Sequence, residues 1–230
     1  MRHSYISTFA VLAIVWSTQS AAAVATHDDS VRVTVRIYRA PESEQWLEPA
    51  LAQAAALLSP VSVRIEWVSC GGGPAQPLRC RVAPAIGELA LRVVRTPGDD
   101  RDPMSMPLGD SVIDRRAKAG TLATIYADRI VWLADQSHMT AATLAGRAIA
   151  HELGHLLMAT SVHDMVGLMR AHWTVPELAR DDPRDWVFTA ADAKAIRRRA
   201  SRDAAPRQVR SLPGSHSSSF VVGRLDAEID

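Results

Sequence analysis

A chain of 230 residues that is 47% hydrophobic is long enough to bury one sizeable core and still carry appendages. Its formal net charge of +1 gives no global electrostatic reason to expect nucleic acid or an anionic membrane as a partner. Asparagine is absent, which excludes N-x-S/T glycosylation.

Residues 1–25 read as a secretory signal: Arg2 supplies the positive start, Phe9 to Trp16 a short apolar stretch, and small residues allow cleavage after Ala23 or Ala25. The apolar stretch is shorter than the roughly 20 residues a membrane span needs, and no later segment is long and apolar enough to cross. The expected mature protein is therefore exported, periplasmic or secreted, with no stable membrane insertion. Strand-like sequence begins soon after the cleavage site, so no separate pro-domain is expected.

"VRVTVRIYRA" alternates Val31, Val33, Val35 and Ile37 with polar partners, the period of a half-buried strand. Residues 43–58 are rich in helix formers, with Pro49 either opening the main helix or kinking it. "VSVRIEWVS" and "ELALRVV" predict a second and a third strand. Between them Cys70 and Cys80 flank "GGGPAQPLR". An even cysteine count in an exported chain predicts a structural disulfide across that loop.

Residues 96–120 hold prolines, glycines and charges and predict a long surface loop. "GTLATIYA" predicts a fourth strand. A helix follows, capped near Ser137 or Thr140 and running through "AATLAGRAIAHELGHLL". "FTAADAKAIRRRA" is a last helix, opened by a capping pair of Thr189 and Asp192. Residues 201–230 have the Ser-rich, polar composition of a disordered tail, although its closing "FVVGRL" is apolar enough to dock on the domain. The order of elements predicts an α+β domain over residues 26–200, a mixed sheet backed by helices.

The chemistry concentrates in "HELGHLLMATSVHDMVGLMRAHW", residues 151–173. His151 and His155, four residues apart on a helix, share one face, and two neutral imidazoles there can both reach a zinc ion. Glu152 sits at the edge of that site, where it can take a proton from a zinc-activated water without ligating the metal. A catalytic zinc wants a third protein ligand and an open position. The residues leave three candidates: His163, the adjacent Asp164, and Glu177 in "ELARD", which has the E-x-x-x-D form of thermolysin-like enzymes. His138 and His172 read as surface or supporting residues.

This stretch resembles the metzincin superfamily of zinc endopeptidases, with a two-residue longer loop after the second histidine. It also resembles small exported bacterial proteins carrying "HELGHLL…H…G-[IL]-M-R-A" strings. The resemblance implies a metzincin-like twisted mixed sheet backed by a helix and an active-site helix, with a small helical C-terminal subdomain. It implies His151, His155 and His163 as ligands of one catalytic Zn2+ and Glu152 as general base. It also implies a helix ending near Ala159 and Met169 as a hydrophobic floor in a Met-turn. By the same resemblance substrate would pair along an edge strand, a part taken by "GTLATIYA" just before the active helix, and residues around Thr174 to Asp185 would shape the side-chain pocket. The implied partner is a peptide or protein cut at internal bonds, and the expected state is a monomer. Two alternatives stand beside it: a zinc-stabilised exported binding module without hydrolysis, and a metal-free exported interaction protein.

Overall fold

The computed structural model describes residues 30–39, 43–71, 76–85, 87–97, 107–204 and 220–228. The expected signal segment, residues 1–25, lies outside them.

The strands are β1 (Val31–Arg39), β2 (Val63–Ser69), β3 (Leu89–Val94), β4 (Gly109–Asp114), β5 (Ala119–Tyr126), β6 (His172–Thr174) and β7 (Phe220–Glu228). They lie side by side in the order β2-β1-β3-β5-β4-β7-β6. Pairing is parallel from β2 through β5 and between β6 and β7, and antiparallel on both sides of β4. The fold is therefore α+β with a mixed sheet.

The apolar alternation of β1 sends Val33, Val35 and Ile37 into the core. Its opposite face buries Arg36, whose terminal nitrogens pair with Glu88 and with the Val82 carbonyl, the latter at 2.7 Å. That pairing is what makes a buried cation tolerable. Cys70 and Cys80 are joined as a disulfide, with Cα atoms 5.4 Å apart.

The α-helices among the described residues are α1 (Glu44–Leu58), α2 (Ala127–Gln136), α3 (Ala141–Met158), α4 (Val175–Arg180) and α5 (Ala190–Ala204). Pro49 lies inside α1, so it neither opens nor ends the helix. Alanine-rich α1 packs closely on α3. A Cβ on Gly146 would come within 2.6 Å of the Gln53 side chain and 2.9 Å of the Ala50 carbonyl. Leu47, Leu51, Ala54, Leu144, Ala148 and Ile149 close the core around that contact.

Several elements differ from the sequence expectation, which has no counterpart of α2 or β6. Residues 96–120, read as a loop, contain β4, which turns into β5 through Asp114; its carboxylate accepts from the Arg116 and Ala117 amides at 2.8 and 2.9 Å. "GTLATIYA" is β5, but it lies between β3 and β4; it is an interior strand and not an edge, because β4 pairs along its outer side. Within the expected tail 201–230, α5 continues to Ala204 and the closing apolar stretch forms β7 between β4 and β6, while residues 205–219 lie outside the described residues.

Candidate metal centre

The site is built on the last two turns of α3 and on the segment that returns beneath it. Thr140 starts the helix, its hydroxyl accepting from the Thr143 amide at 3.1 Å. Ala159 ends it in the left-handed conformation, φ 52°, a position where glycine is more usual. The Thr160 amide bonds back to the His155 carbonyl at 3.2 Å, so the chain reverses at once and brings His163 under the helix.

His151, His155 and His163 converge, and their ligand atoms all lie within 4.8 Å of one another. Nε2 of His155 is 3.0 Å from Nε2 of His151 and 3.1 Å from Nε2 of His163. The other ring nitrogens fix the tautomers. Nδ1 of His151 donates to the Leu168 carbonyl and Nδ1 of His155 to the Thr160 carbonyl, each at 2.8 Å; a carbonyl only accepts, so Nδ1 carries the proton. His163 is hydrogen-bonded to the backbone of Arg224. The Nε2 lone pairs of His151 and His155 therefore face one another without a proton between them. Such an arrangement suits a cation held among them, with each carbonyl orienting its ring from behind.

Burial favours the neutral, metal-binding form of all three rings. His151 is held well below the ordinary histidine pKa by burial and by His155. Burial and His163 lower His155 to about 4. Burial and His172 lower His163, against the pull of Asp226.

Glu152 is fully buried beside this cluster. Burial, and then the charges of Asp110 and Asp226, push its pKa well up. The Ser111 hydroxyl pulls it the other way, but neither carboxylate oxygen makes a hydrogen bond of ordinary geometry among the described residues. A buried carboxylate without donors is rare in a folded protein unless it serves water, a metal or a substrate. β4 makes room for it: a Cβ on Gly109 would lie 3.0 Å from Cγ of Glu152.

Met169 is buried below the helix. A Cβ on Gly154 would meet its sulfur at 2.7 Å, so glycine between the two α3 histidines lets the methionine rise against the helix. The turn that carries Met169 depends on Gly167, whose φ is 75° and where a Cβ would lie 2.7 Å from the Val187 carbonyl. The Leu168 amide donates to that same carbonyl at 2.8 Å. Trp173 packs edge-on against His151, ring centres 5.8 Å apart.

The rival ligands are committed elsewhere. Glu177 caps α4 through the Thr174 amide at 3.0 Å and pairs with Arg170 at 3.1 Å. Asp164 accepts from the Thr189 hydroxyl at 3.3 Å, facing the start of α5. Neither His138 nor His172 joins the cluster.

Sequence reasoning missed Asp110, Tyr126, Gly223, Arg224 and Asp226. Tyr126 donates to Asp110 at 2.5 Å, and its phenol is pushed up to about 12 by burial and by that carboxylate. The alternation of "GDSVID" was the one local signal for β4. Nothing local marks the β7 residues, whose place is set by pairing with strands far away in the chain.

Among the described residues no helix is long and apolar enough to cross a membrane. No family model matches this chain, and no curated protein matches it. Among solved structures, archaemetzincin from Methanopyrus kandleri is similar, with a TM-score of 0.43 and 13% sequence identity, over 77% of this chain and 99% of that one.

Proposed function

We propose that this chain is an exported zinc endopeptidase of the metzincin type. The observation that carries the reading is one juxtaposition: three histidines whose ligand nitrogens converge, beside a buried carboxylate left without hydrogen bonds. A purely structural zinc site would fill its fourth position with another protein ligand and would have no use for a free carboxylate there. The segment from Ala159 through His163 to the Gly167–Met169 turn also follows the pattern that the sequence shares with metzincins. The Cys70–Cys80 disulfide is compatible with export.

His151, His155 and His163 would hold the ion, leaving the side toward Glu152 for water and substrate. Zinc, when bound, supplies Lewis acidity: it acidifies a water and polarises a peptide carbonyl. Glu152 takes the proton of the attacking water on its carboxylate and passes it to the departing amine nitrogen. Burial and the charges of Asp110 and Asp226 raise its pKa, which makes the ionised carboxylate a stronger proton acceptor. Leu168 and Thr160 hold the rings in the ligand tautomer. Trp173 and Met169 close the floor against water.

The test is cleavage of a terminally blocked, mixed-sequence peptide library, supplied in millimolar excess with zinc present, run beside Glu152→Ala. Internal cuts by the wild type that fall by about 10³-fold in the variant, within the range for loss of a general base, are the expected result. Removal of terminal residues only, from unblocked peptides, would contradict endopeptidase action. Equal behaviour of the two proteins, each with zinc bound, would favour the binding module.

A further inference from the structure

If the site is a peptidase, its own geometry raises a difficulty: His151, Glu152 and His155 are all 0% exposed, and no substrate carbonyl can approach a base that is sealed. A strand seals it. β7 lies antiparallel to β4, from Gly109 opposite Leu225 to Asp114 opposite Phe220, and parallel to β6, with His172 opposite Asp226. One wall of this slot is thus the strand that carries Asp110 and Ser111 beside Glu152. The other follows directly on the Met169 turn.

The closest approach is at Gly223. A Cβ there would meet Ser111 Oγ at 2.8 Å and the His155 ring at 3.4 Å, so the backbone lies close over the imidazole and a branched side chain, reaching beyond its Cβ, would crowd it. One residue on, the Arg224 backbone is hydrogen-bonded to His163. Two residues on, Leu225 is fully buried, whereas Val222 is exposed. Among residues 221–226 the buried positions are Gly223 and Leu225, and the backbone ladder to β4 and β6 is a mode of pairing that any extended peptide can reproduce.

We propose that β7 is a tethered pseudo-substrate. The chain's own C-terminal strand fills the slot between β4 and β6 in which a peptide would lie across the metal centre, and the site opens only when β7 leaves. This rests on the peptidase reading, and it adds that the described state is the closed one. A tethered strand competes at an effective concentration of about millimolar, so free peptide at micromolar levels is excluded until the tether's hold is weakened, by a partner that captures β7 or by its removal.

The experiment uses the full zinc-loaded chain and a fluorescent synthetic peptide with the sequence of residues 219–228, "SFVVGRLDAE". Binding of that peptide and hydrogen exchange of the β4 amides are measured for the wild type, Gly223→Val, Leu225→Ala, and a double variant Val112→Cys, Val222→Cys at register-paired positions. The expected result is at least tenfold tighter peptide binding and at least tenfold faster β4 exchange in Gly223→Val, with a smaller shift in the same direction for Leu225→Ala. The cross-linked double variant should take up no peptide until reduced, with wild type under the same reductant as its control. Peptide binding and β4 exchange that match wild type in both single variants, or uptake by the cross-linked chain, would overturn the proposal and show β7 to be an ordinary structural strand. Should Gly223→Val fail to fold, Leu225→Ala and the cross-link decide alone. The two readings separate cleanly. Peptide bound by the opened chain but never cut counts against the peptidase and leaves the covering role intact; cutting by the cross-linked chain keeps the peptidase and removes the cover.

Discussion

The two halves of α3 are equally buried by opposite means. The first half meets α1 at Gly146, against Gln53 and Ala50; it buries Leu144, Ala145, Ala148 and Ile149, and its one buried charge, Arg147, is paired with Asp181. The second half buries His151, Glu152 and His155, which cost stability unless something outside the helix satisfies them. Two carbonyls, from Leu168 and Thr160, satisfy one nitrogen of each α3 histidine; nothing among the described residues satisfies Glu152. The same helix is thus scaffold at one end and unsettled chemistry at the other. The apolar half should set stability without touching metal binding, and the polar half should depend on what binds.

The sharpest break in that comparison is Leu47→Ala, in the apolar half's contact with α1. It removes a fully packed side chain and should cost about 3 kcal/mol in denaturant unfolding, with zinc affinity unchanged. Next comes the metal itself. Zinc at about a hundred times its dissociation constant should stabilise the wild type by ~2.7 kcal/mol, read as a rise in Tm that a chelator reverses. The same increment should appear in Leu47→Ala, since the two halves are separate.

Acid should act through the polar half. His155 has a folded pKa of about 4 against an ordinary value of 6.5, so the unfolded chain takes up the proton first as pH falls. Metal-free protein should lose stability progressively between about pH 6.5 and about pH 4, with His151 adding in the same direction. Urea midpoints across that range that do not fall with pH would contradict the burial assigned to these rings. The smallest effect is Thr140→Ala. Loss of the N-cap should cost about 1 kcal/mol, measurable in Tm, with no change in zinc binding.

Much of this comparison was legible in the sequence, for physical reasons that can be named. α3 has a polar cap, a long apolar period and no competing signal. β1 alternates cleanly, and Thr189 with Asp192 marks the start of α5, where the Thr189 amide donates to the Asp192 carboxylate at 2.8 Å. The H-E-x-x-H spacing by itself places two histidines and a glutamate on one end of a helix. What was not legible depends on distant partners. α2 begins at Ala127 directly after β5, with no side-chain cap at Tyr126, so no local boundary separates strand from helix. β4 is short, and the charged flanks of "GDSVID" hide its alternation. β7 sits beyond a Ser-rich stretch, and only its neighbours β4 and β6, far earlier in the chain, give it a place.

The measurement that tests the central claim most directly is a zinc titration of the wild type beside His151→Ala, His155→Ala, His163→Ala and Glu177→Ala, with bound metal counted per chain. The account predicts one tightly bound zinc in the wild type and in Glu177→Ala, and at least a hundredfold weaker binding in each histidine variant. Zinc held as tightly after His163→Ala as before, or lost on Glu177→Ala, would contradict it.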